Sequence, residues 1–180
     1  MGPLRLAGAV VIAMALSLVV GSARQAPSEY DVKAAFLLNF ARYVEWPASP
    51  RGQPFRLCVL GTNPFGRRLE SVIGGEEWRG GRIELISAPT VRDARDCHLL
   101  YVPASATDHF VAAVADLARR PVLTVGETRA FLGRGGIIQL FVEDGKVRFS
   151  INRRAADNAR LQVSSRLLRL ARTVIQGTGQ

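Results

Sequence analysis

The chain of 180 residues contains very little cysteine and histidine: Cys58 and Cys97 are its two cysteines, and His98 and His109 its two histidines. Thiolate and imidazole are the usual ligands of structural zinc, which needs about four of them at close spacing. With no second cysteine cluster, the sequence predicts no metal site. Neither histidine stands at a spacing typical of a metal ligand or a catalytic base, and His98 is interpreted as a hydrogen-bonded structural imidazole.

Motifs of covalent catalysis are also lacking. Ser164 and Ser165 resemble a helix opening and are not part of the strained Gly-x-Ser-x-Gly turn of a hydrolase. The acidic pairs Glu76-Glu77 and Glu143-Asp144 lie in Gly-flanked turns and are expected to be solvated. The sequence thus predicts no catalytic residue, no cofactor site and no enzyme activity.

A long apolar run occurs only at the start of the chain. Arg5 precedes an apolar stretch from Leu6 to Val20, and the small residues Gly21-Ser22-Ala23 follow it. The run is shorter than the roughly 20 residues of a membrane span, and no basic cluster follows. We interpret residues 1–23 as a signal peptide cleaved after Ala23, residues 24–28 as a short lead, and the mature protein as periplasmic.

The remaining length is sufficient for one domain. The formal net charge is +9, most of it from arginine. In a cytosolic protein this charge would suggest nucleic acid, but export makes that partner improbable. The charge is then interpreted as solvated faces, as an arginine-rich composition of the host's proteins, or as a surface for an acidic protein or an anionic membrane.

Cys58 and Cys97 each belong to an apolar run typical of a buried strand. In an oxidising compartment the two thiols can form a disulfide if the strands are neighbours in one sheet. Such a bridge would stabilise the fold by about 4 kcal/mol in the chain-entropy treatment. The alternative is a pair of buried thiols on adjacent strands.

Strand and helix patterns alternate along the mature chain, which predicts βαβ units and a mostly parallel sheet. The predicted strands are 55–60, 82–87, 98–102, 121–125, 136–141 and 146–151. The predicted helices are 30–46, 64–73, 107–119, 127–132 and a long one over 152–175. The fold class is α/β: a single three-layer domain over residues 29–175, with a Rossmann-like sheet, helices on both faces and an antiparallel edge hairpin at Asp144-Gly145. Residues 176–180 are expected to be a flexible tail.

The first predicted helix is apolar around nearly all of its circumference. Ser28 and Asp31 form a capping box at its start, and Trp46-Pro47 ends it. A helix of this kind is buried on most sides or covered by a partner. The last predicted helix instead carries arginines on an outer face opposite its leucines.

Two glycine-containing segments suggest special backbone. Gly61 to Gly66 form a strand-to-helix turn, but Arg67-Arg68 replace the Lys-Ser/Thr pair of a nucleotide-hydrolysing loop. An ordinary turn is the simplest interpretation, and a small anion is the alternative. Gly135-Gly136 indicate a close backbone approach before a central strand.

Taken together, several segments resemble the YfiR family of exported regulatory proteins, and their order and spacing hold from about residue 29 to 174. The matching segments are Tyr30-x-x-Lys33-Ala-Ala-Phe-Leu-Leu-Asn39-Phe40 with Trp46-Pro47, Leu57-Cys-Val-Leu-Gly61, Cys97-His98, Leu123-Thr-Val125, Gly135-Gly136-Ile137-Ile138, Phe149-x-Ile151-Asn152, and Ser164-Ser165-x-Leu167-Leu168-x-Leu170-Ala171.

The resemblance implies a periplasmic α/β protein without enzymatic activity. The best-known members restrain an inner-membrane diguanylate cyclase by binding its periplasmic portion, which lowers cyclic-di-GMP output, and an outer-membrane-associated protein can sequester the inhibitor. Some members carry a second cysteine pair late in the domain, which this chain lacks.

We therefore expect negative regulation through protein binding, with the partner surface on the first and last helices. The candidate surface residues are Lys33, Asn39, Arg166, Arg169 and Arg172. A homodimer is the expected resting state, because exposed apolar patches are uncommon on monomers. The alternative is a periplasmic small-molecule or anion binder that uses the crevice near 61–66 and 102–104.

Overall fold

A central mixed sheet with a helical layer on each face forms the body of the computed structural model, which describes residues 26–47 and 51–176. The predicted signal peptide at 1–23 lies outside the described residues, as do residues 177–180 of the expected tail.

Ten strands are present in the described residues. They are β1 (Val44–Glu45), β2 (Phe55–Leu60), β3 (Glu77–Trp78), β4 (Gly81–Ala88), β5 (Leu99–Val102), β6 (Leu123–Gly126), β7 (Ile138–Glu143), β8 (Lys146–Asn152), β9 (Gln162–Val163) and β10 (Val174–Ile175). Eight of them form one sheet in the order β10-β8-β7-β6-β5-β2-β4-β3. Strands β4, β2, β5, β6 and β7 are parallel neighbours, whereas β8 pairs antiparallel with β7 across the turn at Asp144-Gly145. The predicted α/β class, mostly parallel sheet and edge hairpin are confirmed.

Five α-helices connect or flank these strands. They are α1 (Glu29–Tyr43), α2 (Arg68–Ile73), α3 (Thr107–Ala113), α4 (Arg153–Asn158) and α5 (Ser165–Leu170). Short 3-10 turns cover Asp93–Asp96, Ala104–Ala106 and Val114–Asp116. The predicted capping box of α1 is present: Ser28 Oγ accepts a hydrogen bond from the Asp31 amide, and the Asp31 carboxylate accepts one from the Ser28 amide.

Each face of the sheet has its own apolar core, as an alternating strand pattern requires. One core contains Leu37 and Phe40 of α1 together with Leu167 of α5, and they pack on residues such as Leu57 and Ile151. The other core lies under α3 and the 3-10 turn of residues 93–96, and it contains both cysteines. The sheet is therefore covered on both faces by this chain alone.

The predicted long helix over 152–175 is wrong, because the chain forms two short helices and two short strands there. Asn152 caps α4 and Ser164 caps α5, each accepting a hydrogen bond from a backbone amide three residues on. Arg160, with φ of 59°, makes the turn after α4. The following β9 pairs with β1, with Val163 opposite Val44. A long helix would leave the backbone of β1 without this partner.

The predicted helix over 127–132 is also wrong, because the segment forms turns around a buried ring. Phe131 is fully buried, and its ring lies directly against the backbone of Gly126 on one side and of Gly136 on the other. A Cβ at either glycine would overlap the ring. This contact supplies the reason for the close backbone approach that Gly135-Gly136 indicated.

Candidate functional site

The disulfide predicted between Cys58 and Cys97 is present. Cys58 lies in β2 opposite Leu100 of β5, and Cys97 lies two residues before β5 begins. The two Cα atoms are 6.1 Å apart, and the two residues are 0% and 5% exposed. The bridge joins two cysteines that are 39 residues apart in sequence, and it links β2 to the segment just before β5 on the side of the sheet that carries the second core.

A crevice for ligands is expected where the strand order reverses. Strand β2 has β4 on one side and β5 on the other. The connections beyond the carboxyl ends of these strands therefore run to opposite sides of β2 and leave a crevice between them. In open α/β sheets this is the usual place for a cofactor or substrate. Here the first turns of α1 and the segment after β6 meet at that place.

A buried ion pair fills this position. Lys33 of α1 is 3% exposed, and its Nζ lies 2.5 Å from Glu127 Oε2 and 2.5 Å from Glu29 Oε1. The Glu127 carboxylate also accepts hydrogen bonds from the Tyr101 hydroxyl at 2.8 Å and from the Ala104 amide at 2.9 Å. We name Lys33, Tyr101, Ala104 and Glu127 the crevice cluster.

The electrostatics of the crevice cluster favour a charged Lys33 and a charged Glu127, whose hydrogen-bonding groups already have partners within the chain. Burial alone would raise the pKa of Glu127, but hydrogen bonds from Lys33, Ala104 and Tyr101 together hold it below its ordinary value. Burial alone would lower the pKa of Lys33, but the hydrogen bonds that Lys33 donates to Glu127 and Glu29 raise this pKa above its ordinary value. Burial, followed by the neighbouring Glu127 charge, raises the pKa of Tyr101. Each ionisable group is thus fixed in its ordinary charge state, which suits a structural clamp better than proton transfer.

The turn at Gly61–Gly66 uses its own polar groups. The Gly61 amide donates to Ala88 O at 2.9 Å, and the Phe65 amide donates to Asn63 Oδ1 at 2.9 Å. The Ala104 amide on the facing turn is taken by Glu127. The backbone donors named here, which an anion would use, therefore have partners within the chain.

His98 has a structural environment. Its Nδ1 accepts a hydrogen bond from the Arg56 amide at 3.1 Å, and its backbone oxygen accepts one from Trp46 Nε1 at 3.1 Å. Its ring stacks on Phe55 with centroids 4.9 Å apart. Burial, with a smaller effect of the Arg56 charge, lowers its pKa, so the neutral imidazole is favoured. No group of three or more potential metal ligands occurs in the part of the chain that the structure describes.

The expected partner residues on α1 are placed differently from one another. Lys33 is buried in the crevice cluster, so its inclusion among the surface residues is corrected. Asn39 is exposed. The apolar circumference of α1, which suggested an external partner, is covered by α2, α5 and β8 of the same chain.

The three expected arginines lie on or just after α5, and all are exposed. Arg166 lies over the ring of Tyr43, 5.3 Å from its centroid. Arg172 follows α5 and pairs with Glu143 of β7 at 3.1 Å. Arg169 has no carboxylate within 4 Å among the described residues.

Exposed apolar residues accompany these charges. Leu170, the last residue of α5, is 65% exposed, and Val142, which precedes Glu143 in β7, is 49% exposed. The Arg172–Glu143 ion pair joins the two segments that carry them. We name Val142, Arg166, Arg169, Leu170 and Arg172 the α5 surface.

Sequence reasoning missed Glu127 and Tyr101. Tyr101 was included in an apolar strand run, and Glu127 was assigned to a helix that does not form. The available signal was position: Val102 and Gly126 end neighbouring parallel strands, so the polar residues beside these ends meet at one edge of the sheet.

The fold and the crevice cluster define a class: a flavodoxin-like α/β domain whose ligand crevice is closed by its own first helix. The sequence profile of the family described as YfiR/HmsC-like matches residues 30–172. The chain belongs to this family, which confirms the resemblance. The family consists of regulatory, non-enzymatic periplasmic proteins of cyclic-di-GMP signalling.

Two solved structures are similar in fold. A conserved domain protein from Vibrio cholerae O1 biovar El Tor is 13% identical with a TM-score of 0.56, and the match covers 82% of this chain. An ABC domain from Streptococcus pneumoniae, solved in complex with L-Trp, is 12% identical with a TM-score of 0.51 over 81% of this chain. In each case the chain spans 60% of the other protein's length. At this identity the likeness concerns the fold alone. No curated protein matches the chain.

Among the residues that the structure describes, no helix is long and apolar enough to cross a membrane.

Proposed function

We propose that this chain, exported through the signal peptide at 1–23, binds the periplasmic portion of an inner-membrane signalling protein and represses it. The partner is a diguanylate cyclase, so that binding lowers cyclic-di-GMP output. The family's general role in this signalling supports the proposal. The partner itself is inferred from the family resemblance.

The observation that carries a protein-binding function is the α5 surface. Contiguous exposed apolar patches are uncommon on monomers and mark interaction surfaces, whereas single exposed apolar residues are ordinary. Leu170 and Val142 are two of the three large apolar residues that are exposed in the part of the chain that the structure describes, and exposed arginines precede and follow Leu170. Arginine is enriched at protein interfaces and among binding hot spots. An acidic sensor domain would complement this surface.

A regulator of this kind needs a rigid surface rather than a reactive site. The crevice cluster supports that interpretation, since its charged groups are all paired. The disulfide between two central strands adds further rigidity in the oxidising periplasm. Both features stabilise the layer on which α5 rests.

The wider arrangement is proposed by analogy with the family. A homodimer is the expected resting state, and an outer-membrane-associated protein would sequester the chain and release the cyclase. Analytical ultracentrifugation of the mature protein, alone and with the partner domain, measures directly whether the protein is a homodimer.

The experiment that tests the proposal combines binding with repression. Arg169→Glu with Leu170→Asp reverses one charge and removes one apolar contact on the α5 surface. The change should weaken binding to the cyclase's periplasmic domain by tenfold or more, on the order of 1.4 kcal/mol. Cellular cyclic-di-GMP should rise to the level of a deletion strain.

The matched control is Arg148→Glu. Arg148 is exposed in β8, but it alternates with Phe149 and so lies on the opposite face of the sheet. The control should bind and repress normally. Full repression by a folded Arg169→Glu/Leu170→Asp variant would exclude the α5 surface, and absence of any complex with the wild-type chain would exclude the proposed function.

A further inference from the structure

A cleft of about 310 Å³ opens at the amino ends of β6 and β7, at the opposite end of these strands from the crevice cluster. It lies between the segment 114–118, the loop 132–135 and α4. Pockets for small organic ligands begin at about this size. The cleft contains none of the residues of the α5 surface, so the inference below does not rest on the proposed function.

The floor and walls of the cleft are apolar. Leu117, Val122, Leu132 and Ile137 contribute large side chains and are each no more than 7% exposed. Small residues line much of the remainder and leave the space unfilled: Ala115, Ala118, Gly133, Gly135, Ala155 and Ala159. A ligand that fits must therefore present an apolar body.

Two polar side chains inside the cleft, those of Thr124 and Asn152, already have partners. Thr124 Oγ1 accepts a hydrogen bond from the Ile137 amide at 3.0 Å. Asn152 donates through Nδ2 to Leu132 O at 3.1 Å and accepts through Oδ1 from the Ala155 amide at 3.0 Å. These side chains do not need a polar group of a ligand as a hydrogen-bond partner, which again favours a ligand with an apolar body.

The mouth of the cleft is basic. Arg154 lines it directly, and Arg119 and Arg160 line an adjoining depression that shares Ala118 and Asn158 with the cleft. Arg160 donates to Arg119 O at 3.4 Å, which places the two arginines together. None of the three guanidinium groups has a carboxylate within 4 Å among the described residues, although neighbouring Arg153 has one at 3.9 Å in Asp157.

We propose that this cleft binds a small organic carboxylate with an apolar tail, such as a medium-chain fatty acid. The tail occupies the apolar cleft, and the carboxylate lies at the mouth against the guanidinium groups of Arg119, Arg154 and Arg160. Arginine suits this role because its planar fork matches the two oxygens of a carboxylate. A neutral or cationic head group would leave the three charges without a counter-ion.

The test uses decanoate as the probe, with the mature protein and isothermal titration calorimetry at concentrations below micelle formation. Decanoate should bind at a single site. Decanol, with the same tail and no charge, should bind about tenfold to a hundredfold more weakly, as expected for the loss of a charge-assisted hydrogen bond. The decyltrimethylammonium cation should not bind.

Two variants locate the site. Arg119→Glu with Arg160→Glu should weaken decanoate binding by at least about tenfold. Ala118→Trp, at an exposed position on the wall, should block the cleft, and Arg148→Glu on β8 is the control with one such charge reversal elsewhere. Thermal melting without ligand checks that each variant is folded. If Ala118→Trp does not fold, the arginine pair decides the location.

The proposal is overturned if decanoate does not bind, if decanol binds equally well, or if the folded arginine variant binds decanoate like the wild type. Equal weakening by Arg148→Glu would also overturn it, since that result indicates a general charge effect rather than this site. Binding of an acidic peptide in place of decanoate would assign the basic mouth to a protein partner and would likewise reject the carboxylate.

Discussion

Replacing Lys33 by Met tests whether the crevice cluster stabilises the fold through its ion pair. Methionine keeps the length and apolar stem of the side chain and removes its charge. The Glu127 side chain, 10% exposed, then keeps its hydrogen bonds from Tyr101 and Ala104 but has no buried counter-ion. Breaking a buried pair in this way costs about 3–5 kcal/mol. Because these two hydrogen bonds remain, together with a longer one of 3.4 Å from the Tyr30 hydroxyl, we expect a loss of about 3 kcal/mol.

Urea unfolding at pH 7, followed by far-ultraviolet circular dichroism, measures the free energy of unfolding. For a domain of this size the loss corresponds to a melting temperature lower by about 6–12 °C. The matched control on the same helix is Arg42→Met, which removes an exposed pair with Glu76. Exposed pairs contribute at most about 1 kcal/mol, so the control should change little.

The double variant Lys33→Met with Glu127→Gln separates the loss of the pair from the cost of an unpaired charge. A neutral amide needs no counter-ion, so the double variant should be more stable than Lys33→Met alone. Destabilisation by Lys33→Met no larger than that of Arg42→Met, or a double variant equal to the sum of its single changes, would refute the buried-charge account.

Three further predictions concern pH, the disulfide and the Phe131 contact. Because the pKa of Glu127 is depressed in the folded protein, the contribution of this carboxylate to the free energy of unfolding is present above its ordinary pKa of 4.5 and is lost as pH falls through the lower folded value. When the free energy of unfolding is measured at decreasing pH, Glu127→Gln should therefore show a shallower loss than the wild type. Joint replacement of Cys58 and Cys97 by Ala should lower the free energy of unfolding by about 4 kcal/mol in denaturant titration. Since both cysteines are buried, dithiothreitol should not reduce the native bridge until the protein unfolds, and rapid reduction of native protein would contradict the structure. Gly136→Ala should destabilise by about 1–3 kcal/mol because its Cβ overlaps the Phe131 ring, whereas Gly133→Ala, whose Cβ finds its nearest neighbour at 3.6 Å, should melt like the wild type.

Local patterns were sufficient for the features of this protein that depend on neighbours in sequence. Ser28 and Asp31 are three residues apart, so their capping box is readable directly from the chain. The alternation of strand and helix patterns likewise predicted the parallel sheet, and Asp144-Gly145 predicted the edge hairpin. The disulfide was predicted from two apolar strand runs and an oxidising compartment, with two free thiols as the alternative, and the pairing of β2 with β5 is what places the two cysteines together.

Long-range pairing decided the rest. The helix predicted over 152–175 has suitable composition, but Ser164 opens a separate helix and β9 pairs with β1, more than a hundred residues away in sequence. Tertiary contacts outweigh helix propensity, which is worth less than about 1 kcal/mol per residue. The turns around Phe131 also depend on packing: its ring is buried between the backbones of Gly126 and Gly136, each five residues away, and stacks on Phe110, 21 residues away.

The buried Lys33 and the exposed arginines of the α5 surface show most clearly which features local sequence predicts and which depend on distant contacts. The sequence alone predicts that Lys33 lies on a helix that is apolar around nearly all of its circumference, and that Arg166 and Arg169 lie on a helix with a basic outer face. The packing of α1 on the sheet buries Lys33 against Glu127, 94 residues away, while the arginines remain at the surface. The physical reason is that a charge is buried only where a distant partner and hydrogen bonds offset its desolvation, and that partner is chosen by the packing of α1 on the sheet.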